Sequence, residues 1–388
     1  MSGVPAEPEP RTLDIRFNGA GREYFRIWAV NLLLIILSCG LYLPFAKLRR
    51  IRYVYANTLI DGEPLAFHGD AWKMFRGFLL LAVLLVTCAV ASEFSPTVAL
   101  GAFIALCAVW PALWRAGMQF RLGNTSWRGL RMGFEGSLAG AYLAYLPVCV
   151  PMVLLMALAP DGRFWFYVTV AVFCAMAPWS TALIKRYQHR GYRIAQERGE
   201  IELPLHPVYV IGLKTLVLGL VMFLVVIVVM PPMAKLLASD GGFRGLASYR
   251  GLIGLGALCV LWAGGLPPYC ASRLQDLVWG NTRSASLHFR STLIGLPVLT
   301  LANWVLVILT LGFYRPFAVM ATLRLRLQAV RIHTSTEPAT WTAALAGLRT
   351  DASGDSAEHP FAISFSAHPA DGERIAFFKA EGPVAPKN

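Results

Sequence analysis

Charge is what this chain has least of. Only 15% of its 388 residues are Asp, Glu, Lys or Arg, 56% are hydrophobic, and the mean hydropathy is +0.54. A soluble chain carries about 25% charged and roughly 45–50% apolar residues. One soluble core cannot hide that excess, so a polytopic membrane protein is implied. The seven cysteines (Cys39, Cys88, Cys107, Cys149, Cys174, Cys259, Cys270) contain no C-x-x-C pair and sit in or beside apolar stretches, as small core residues do. The seven histidines lack H-E-x-x-H spacing. Nucleophile elbow, P-loop, dinucleotide fingerprint and paired-carboxylate cluster are missing too, so no catalytic residue, cofactor or metal site is expected. The opening stretch, MSGVPAEPEP, has no basic region followed by an apolar one, and no cleaved signal peptide is expected. No apolar run carries Asp, Glu or His near its middle; Lys214 is expected to snorkel to an interface and Glu93 to be solvated near a short outer turn.

What is present is apolar length. Six segments, 74–94, 97–114, 139–159, 164–184, 208–230 and 252–271, meet the roughly 20 apolar residues that a crossing needs. Two more, 24–45 and 292–317, are broken by Asn31 and Gly40 and by Asn303 and Gly312. The net charge of +13 falls on alternate connections. The loops 46–73, 115–138, 185–207 and 270–291 carry five, four, five and three Lys and Arg, seventeen in all; the opposite set, 92–98, 160–163 and 231–251, carries none, one and three, four in all. The positive-inside rule puts the basic loops in the cytoplasm, against anionic lipid head groups. Charge spread in this way, with no zinc-finger, RNA-binding or helix-turn-helix pattern, argues against a nucleic-acid partner.

The basic loops repeat with a period of 67 residues. Pro44, Pro111 and Pro178 hold the register; Asn57-Thr58 recurs as Asn124-Thr125, Gly62 as Gly129, Phe67 as Phe134 and Gly69 as Gly136. A further copy starts at Pro268 and reaches Asn281-Thr282 at the same offset of 13 residues. A Gly between semi-alternating runs, as at Asp61-Gly62 and Arg128-Gly129, signals a hairpin. Short cytoplasmic β-hairpins, each ending in F-x-G, are therefore expected. A second repeat, offset by 272 residues, relates the two broken segments: Asn31 to Asn303, Gly40 to Gly312, Tyr42 to Tyr314 and Pro44 to Pro316. From Phe17 to Pro44 and from Phe289 to Pro316 is 27 residues, enough for one crossing or a re-entrant hairpin. Basic residues flank both segments on both sides, which fits re-entry with the turn at Ser38-Cys39-Gly40 and Thr310-Leu311-Gly312. The length favours the alternative, eight ordinary crossings with both termini outside.

The fold expected is thus an all-α polytopic membrane protein of six transmembrane helices plus two terminal spanning or re-entrant segments, with short β-hairpins. Residues 12–333 form the membrane domain, with repeats near 17–69, 111–136, 178–203 and 268–333. Residues 1–11 and 334–388 are expected to be disordered, with a weak hairpin across Asp371-Gly372 in the second. Asn31 and Asn303 are read as helix-packing amides or, alternatively, as contacts to a polar solute.

The stretch Ile36-Leu37-Ser38-Cys39-Gly40-Leu41-Tyr42-Leu43-Pro44-Phe45-Ala46-Lys47-Leu48-Arg49 resembles the T-L-G-I-Y-x-x-W-A-K-x-R signature of the YjgN family, with Phe45 for the usual Trp and Ser38-Cys39 for the usual Thr-Leu. Phe17-x-Gly19, Tyr53 to Thr58, the F-x-G at Phe67 and Gly69, and Leu309 to Tyr314 extend the likeness over about residues 12–335; the third loop departs, with Gly191-Tyr192 at the Asn-Thr register. The resemblance implies a bacterial inner-membrane location and no particular activity. Three functions remain open: a path for a small solute, an assembly protein whose hairpins bind a partner, and an enzyme acting on lipid. The solute or protein partner is not legible.

Overall fold

The computed structural model describes residues 11–158, 163–194, 197–238 and 246–335. Its plan is one unit repeated: a strand, two antiparallel helices, and a returning strand that pairs with the first. In the first unit β1 (Arg11–Phe17) leads into α1 (Gly21–Leu37) and α2 (Leu43–Ala56), and β2 (Thr58–Ile60) returns beside β1. The second unit is β3 (Glu63–Phe67), α3 (Ala71–Phe94), α4 (Pro96–Gly123) and β4 (Thr125–Trp127). The third is β5 (Leu130–Phe134), α5 (Leu138–Leu158), α6 (Arg163–Arg190) and β6 (Tyr192–Ile194), followed by the short β7 (Glu197–Arg198). The fourth is β8 (Glu200–Ile201), α7 (Leu205–Ala238), α8 (Leu246–Gly280) and β9 (Thr282–Arg283). The fifth is β10 (Leu287–Ser291), α9 (Leu296–Leu309), α10 (Arg315–Gln328) and β11 (Val330–Thr334).

The expected hairpins turn at Asp61-Gly62 and Arg128-Gly129, where both central residues of each pair have positive φ, as a primed hairpin turn requires. The fold is not all-α. Isolated two-stranded hairpins are marginal in water, and here they join edge to edge into one eleven-stranded antiparallel sheet in the order β7-β6-β5-β4-β3-β2-β1-β11-β10-β9-β8. β1 pairs with β11, Arg11 opposite Thr334, so the ends of the described chain are stitched together. The two outermost strands, β7 and β8, are consecutive in sequence and joined by Gly199, so the sheet bends round almost to a closed barrel. A Cβ on Gly199 would overlap the His189 carbonyl oxygen.

Among the described residues, five helices are long and apolar enough to cross a membrane: Ala71–Phe94, Pro96–Gly123, Leu138–Leu158, Phe164–Arg190 and Leu205–Val225. They coincide with five of the six segments expected. The sixth, 252–271, falls within α8, where most side chains lie outside the described set. Only 6% of the most apolar stretch of α3 is buried by the protein, so its Leu and Val side chains face outward and need an apolar solvent.

Neither broken segment is one continuous helix. At 17 and 14 residues α1 and α2 are about 25 and 21 Å long, and they return to the sheet they left; α9 and α10 do the same at 14 residues each. The cause is local. Gly40 and Gly312 donate their N–H groups five residues back, to Ile35 and Val307, with φ of 91° and 93°, and Cys39 and Leu311 before them also have positive φ. Two consecutive left-handed residues end a helix and reverse the chain. Ser38 and Thr310 complete the turns by accepting from the Tyr42 and Tyr314 N–H groups, both at 2.9 Å.

Core packing is concentrated where helices meet the sheet. Phe17, Tyr24 and Met320 form one buried cluster across the β1–β11 seam, and Ala182, Ile201, Leu203, Val208 and Val278 another. β1 begins at Arg11 and β11 ends at Thr334; the remaining segments expected to be disordered, 1–10 and 336–388, and the hairpin at Asp371-Gly372 lie outside the described residues.

Candidate functional site

The motifs picked out by periodicity are structural joints. Each Asn-Thr pair ends a helix and starts a strand. Asn57, Asn124 and Asn281 donate Nδ2 to the carbonyls of Tyr53, Phe120 and Leu277 at 2.8, 2.7 and 2.7 Å; Thr58, Thr125 and Thr282 donate Oγ1 to Val54, Arg121 and Val278 at 2.7, 2.7 and 2.6 Å. Two of the four orphan carbonyls at each helix end are thereby satisfied. Pro44 and Pro316 are buried in the first turns of α2 and α10, where a missing N–H costs nothing. Tyr42 and Tyr314 stack on Phe45 and Phe317 at 5.5 and 5.7 Å. Asn303 reaches toward α10, with Nδ2 at 3.4 Å from the Ala318 carbonyl and 3.5 Å from Thr322 Oγ1, and Asn31 is buried in α1 with no partner for Oδ1. Neither amide lines either of the two cavities described below. Of the fourteen residues singled out, only Pro44 lies on one of those two.

A second joint escaped the periodic reading. Arg52, Arg186 and Arg324 occupy one register position and donate to the carbonyls of Gly69, Leu203 and Gly19, so each helical hairpin is tied to the strand that follows it around the ring. The second unit has Gln119 there, and Arg115 reaches the Gly136 carbonyl at 2.6 Å instead. In the fourth unit Asp276 accepts from Ser291 Oγ and the Leu293 N–H, both at 2.8 Å. The F-x-G glycines sit under their own phenylalanines: a Cβ on Gly69 would lie 2.6 Å from Phe67 Cζ.

The site with chemistry is one layer further in. Positions equivalent by the repeat are Ile51, Met118, Lys185, Gln275 and Leu323, and, three residues on, Val54, Arg121, Gln188, Val278 and Arg326. A cavity of about 200 Å³ is lined by Lys185, His189, Gln275, Val278, Trp279 and Arg326 among others. Arg121 and Arg326 both repel the Lys185 ammonium. These side chains come from α4, α6, α8 and α10, four different hairpins, so they meet on the inner side of the ring. Lys185 Nζ donates to Gln188 Oε1 at 3.0 Å, Arg326 Nε donates to Gln275 Oε1 at 2.9 Å, and Gln275 Nε2 donates back to the Arg326 carbonyl at 3.0 Å. Arg326 is reached by solvent, yet the surrounding protein holds its guanidinium below its ordinary value. Burial pushes the nearby Tyr192 phenol up, against the pull of Arg121. His189, only 4% exposed, is packed against Trp279 and Tyr192 at 5.0 and 4.9 Å. Because Thr282 Oγ1 already donates to Val278, His189 Nδ1 at 2.9 Å must be the donor to it, which leaves Nε2 as the free ring nitrogen.

No carboxylate closes on these cations. Among the described residues the ion pairs join Arg11 and Arg128 to Asp61, Arg193 and Arg198 to Glu135, and Arg283 to Glu200 and Glu202, all in or beside the sheet. Two partly desolvated cations, Lys185 and Arg326, with the exposed Arg121 near them and no counter-charge among the described residues, form an arrangement that favours an anion.

Helical hairpins with outward apolar faces, standing on one sheet that gathers their basic connections, define a multi-pass membrane protein. Its residues 12–358 match the family described as bacterial protein of unknown function, DUF898, and the chain belongs to that family. It is similar to the inner membrane protein YjgN of Salmonella typhimurium, 29% identical over 161 residues that are 41% of this chain and 41% of the relative. It is also similar to the inner membrane proteins YjgN of Escherichia coli O157:H7 and K12, at 30% and 28% identity over 38% of each chain. The matched segment thus spans about two fifths of these curated relatives. No solved structure matches the chain. The protein is located in the bacterial inner membrane and belongs with the YjgN proteins.

Proposed function

We propose that the chain forms a binding path for a small anionic solute in the inner membrane. The observation that carries this reading is the meeting of Lys185 and Arg326 on one cavity, with Arg121 near enough to repel Lys185 and no carboxylate partner for these cations among the described residues. A cation that has lost water and found no counter-ion is poised to trade its remaining hydration for an anion. In this reading α3 to α8 make six crossings and the pairs α1–α2 and α9–α10 re-enter beside them, a combination that transporters use near their binding sites. The seventeen Lys and Arg of the loops at the sheet end put that end in the cytoplasm, where anionic head groups would meet it. The rival reading, hairpins that recruit a protein partner, has less support, since the hairpins already spend their edges on one another.

The test is flux. Purified full-length chain in vesicles is assayed for chloride and phosphate uptake beside empty vesicles, and compared with Lys185→Gln and Arg326→Gln. Anion uptake that falls at least tenfold in the double variant supports the proposal. No anion uptake and no anion-dependent thermal shift in the wild type, or uptake equal in the double variant, overturns it.

A further inference from the structure

A larger cavity, of about 690 Å³, lies between α2, α3 and α4. Its sheet end is marked by Phe67 on β3, by Lys73 in the first turn of α3 and by Arg121 in the last turn of α4. From there it runs inward past Phe78 and Leu81 on α3 and Trp114 and Trp110 on α4, while α2 contributes Leu43, Pro44, Lys47 and Ile51. Along α4, Arg121 to Trp110 is eleven residues, about 16 Å. One end is cationic and the rest, Lys47 apart, is mostly aromatic and aliphatic.

Glycine explains why the groove is there. In membrane helices small residues usually let two backbones approach closely. Gly77 on α3 and Gly117 on α4 both line this cavity, and a Cβ built on either meets nothing within 4 Å. The contrast within the same chain is Gly264, whose Cβ would lie 3.2 Å from the Leu301 backbone. A mid-helix glycine is unfavourable relative to alanine. At Gly77 and Gly117 that cost gains no helix contact; it holds space open.

We infer that this groove binds one anionic phospholipid, its phosphate between Lys73 and Arg121 with Lys47 as a third charge, and an acyl chain laid along Phe78, Leu81, Trp110 and Trp114. Lys47 is exposed nine residues before the sheet end of α2, about 14 Å into the helical layer, and a lysine at that depth extends its ammonium toward the interface where a phosphate sits. Charge selects the lipid class: a zwitterionic head group brings its own cation to a rim that already holds three. The inference shares Arg121 with the solute path, and its variants leave Arg121, Lys185, Gln275 and Arg326 untouched, so either reading can fail without the other.

The experiment uses the purified full chain in neutral detergent. Phosphatidylglycerol and phosphatidylcholine with the same acyl chains are titrated while thermal unfolding is followed, with native mass spectrometry counting bound lipid. Glycerol phosphate, the head group without chains, is the third probe. Phosphatidylglycerol is expected to raise the midpoint by several degrees and to leave one bound lipid, with at least a fivefold weaker effect of phosphatidylcholine. Gly77→Phe and Gly117→Phe fill the groove without a clash at Cβ and are expected to abolish the difference between the two lipids. Lys47→Gln with Lys73→Gln is expected to reduce it at least threefold. Equal response to both lipids, a preference that survives groove filling, or the same shift from glycerol phosphate alone would overturn the inference.

Discussion

Replacing Gln275 by Glu puts one negative charge where the inner layer has none. The side chain is isosteric, and Arg326 Nε, now 2.9 Å from Oε1, would donate to a carboxylate. That bond becomes charge-assisted, contributing about 1.5–3 kcal/mol in place of about 1. Against this, Gln275 Nε2 no longer donates to the Arg326 carbonyl, and a carboxylate oxygen faces that carbonyl instead, a loss of about 1–3 kcal/mol. The two effects nearly cancel, so the midpoint of unfolding should move by no more than a few degrees. The effect on a bound anion does not cancel. A unit charge about 5 Å away at an effective dielectric constant near 20 repels it by about 3 kcal/mol, and screening at physiological salt leaves roughly half, which is about a tenfold loss of affinity. Gln275→Leu is the control: it removes both hydrogen bonds, lowers stability by about 1–2 kcal/mol, and leaves the charge of the cavity unchanged. The assay is thermal unfolding of the full chain with phosphate titrated at constant ionic strength. Leu lowering apparent phosphate affinity as much as Glu would show that packing, not charge, governs the cavity, and the electrostatic reasoning would fall.

Alanine should act with opposite signs at two glycines. Gly69→Ala forces a Cβ against Phe67, which is 9% exposed, and should destabilise by about 1–3 kcal/mol, whereas Gly77→Ala enters open space and should stabilise by about 0.5–1 kcal/mol; thermal midpoints measured together check both. Arg324→Gln removes the 3.0 Å bond to the Gly19 carbonyl, and amide exchange should quicken at Leu13 and Ile332 along the β1–β11 seam while Ser126 in β4 keeps its protection. Glu135 accepts from Arg193 and Arg198, and the Arg193 bond above all holds its carboxyl below the ordinary carboxylate value. A depressed carboxylate stabilises above its unfolded value and loses that contribution as pH falls through the folded one. Glu135→Gln should therefore be less stable than wild type near neutral pH, and equal at acid pH below the folded value, in paired denaturation curves.

Legibility followed repetition. Pro44, Pro111 and Pro178 hold one register although Pro44 starts a helix and the other two lie inside one, and the Asn-Thr pairs recur because α2, α4 and α8 each need their last carbonyls satisfied before the chain turns into a strand. The hairpins were readable from Gly62 and Gly129, where φ must be positive. Their union into one sheet was not, because strands of two to seven residues carry little pattern and their lateral partners lie as far apart as Arg11 and Thr334. The broken segments misled through length: 24–45 and 292–317 are long enough to cross, and only the paired left-handed residues at Cys39-Gly40 and Leu311-Gly312 reverse them. The candidate site was missed for the opposite reason. Its layer reads Ile51, Met118, Lys185, Gln275 and Leu323 from unit to unit, so a search for sameness passes over the place where the units differ. Only three-dimensional convergence sets Lys185 beside Arg326 and Arg121.

The seam between β1 and β11 orders events in time. Residues Arg11 to Asp14 pair with a strand whose partner residues, Arg331 to Thr334, are made about 320 residues later. At 5–20 residues per second the ribosome needs about 15–60 s to supply them. Through that interval β1 has only β2 at its side, and its other edge stands open while the intervening units are made. Assembly is thus the closing of a clasp whose first half is held ready from the start, and whatever shields Leu13 and Asp14 until Val330 arrives decides whether the ring closes on itself or on a neighbour.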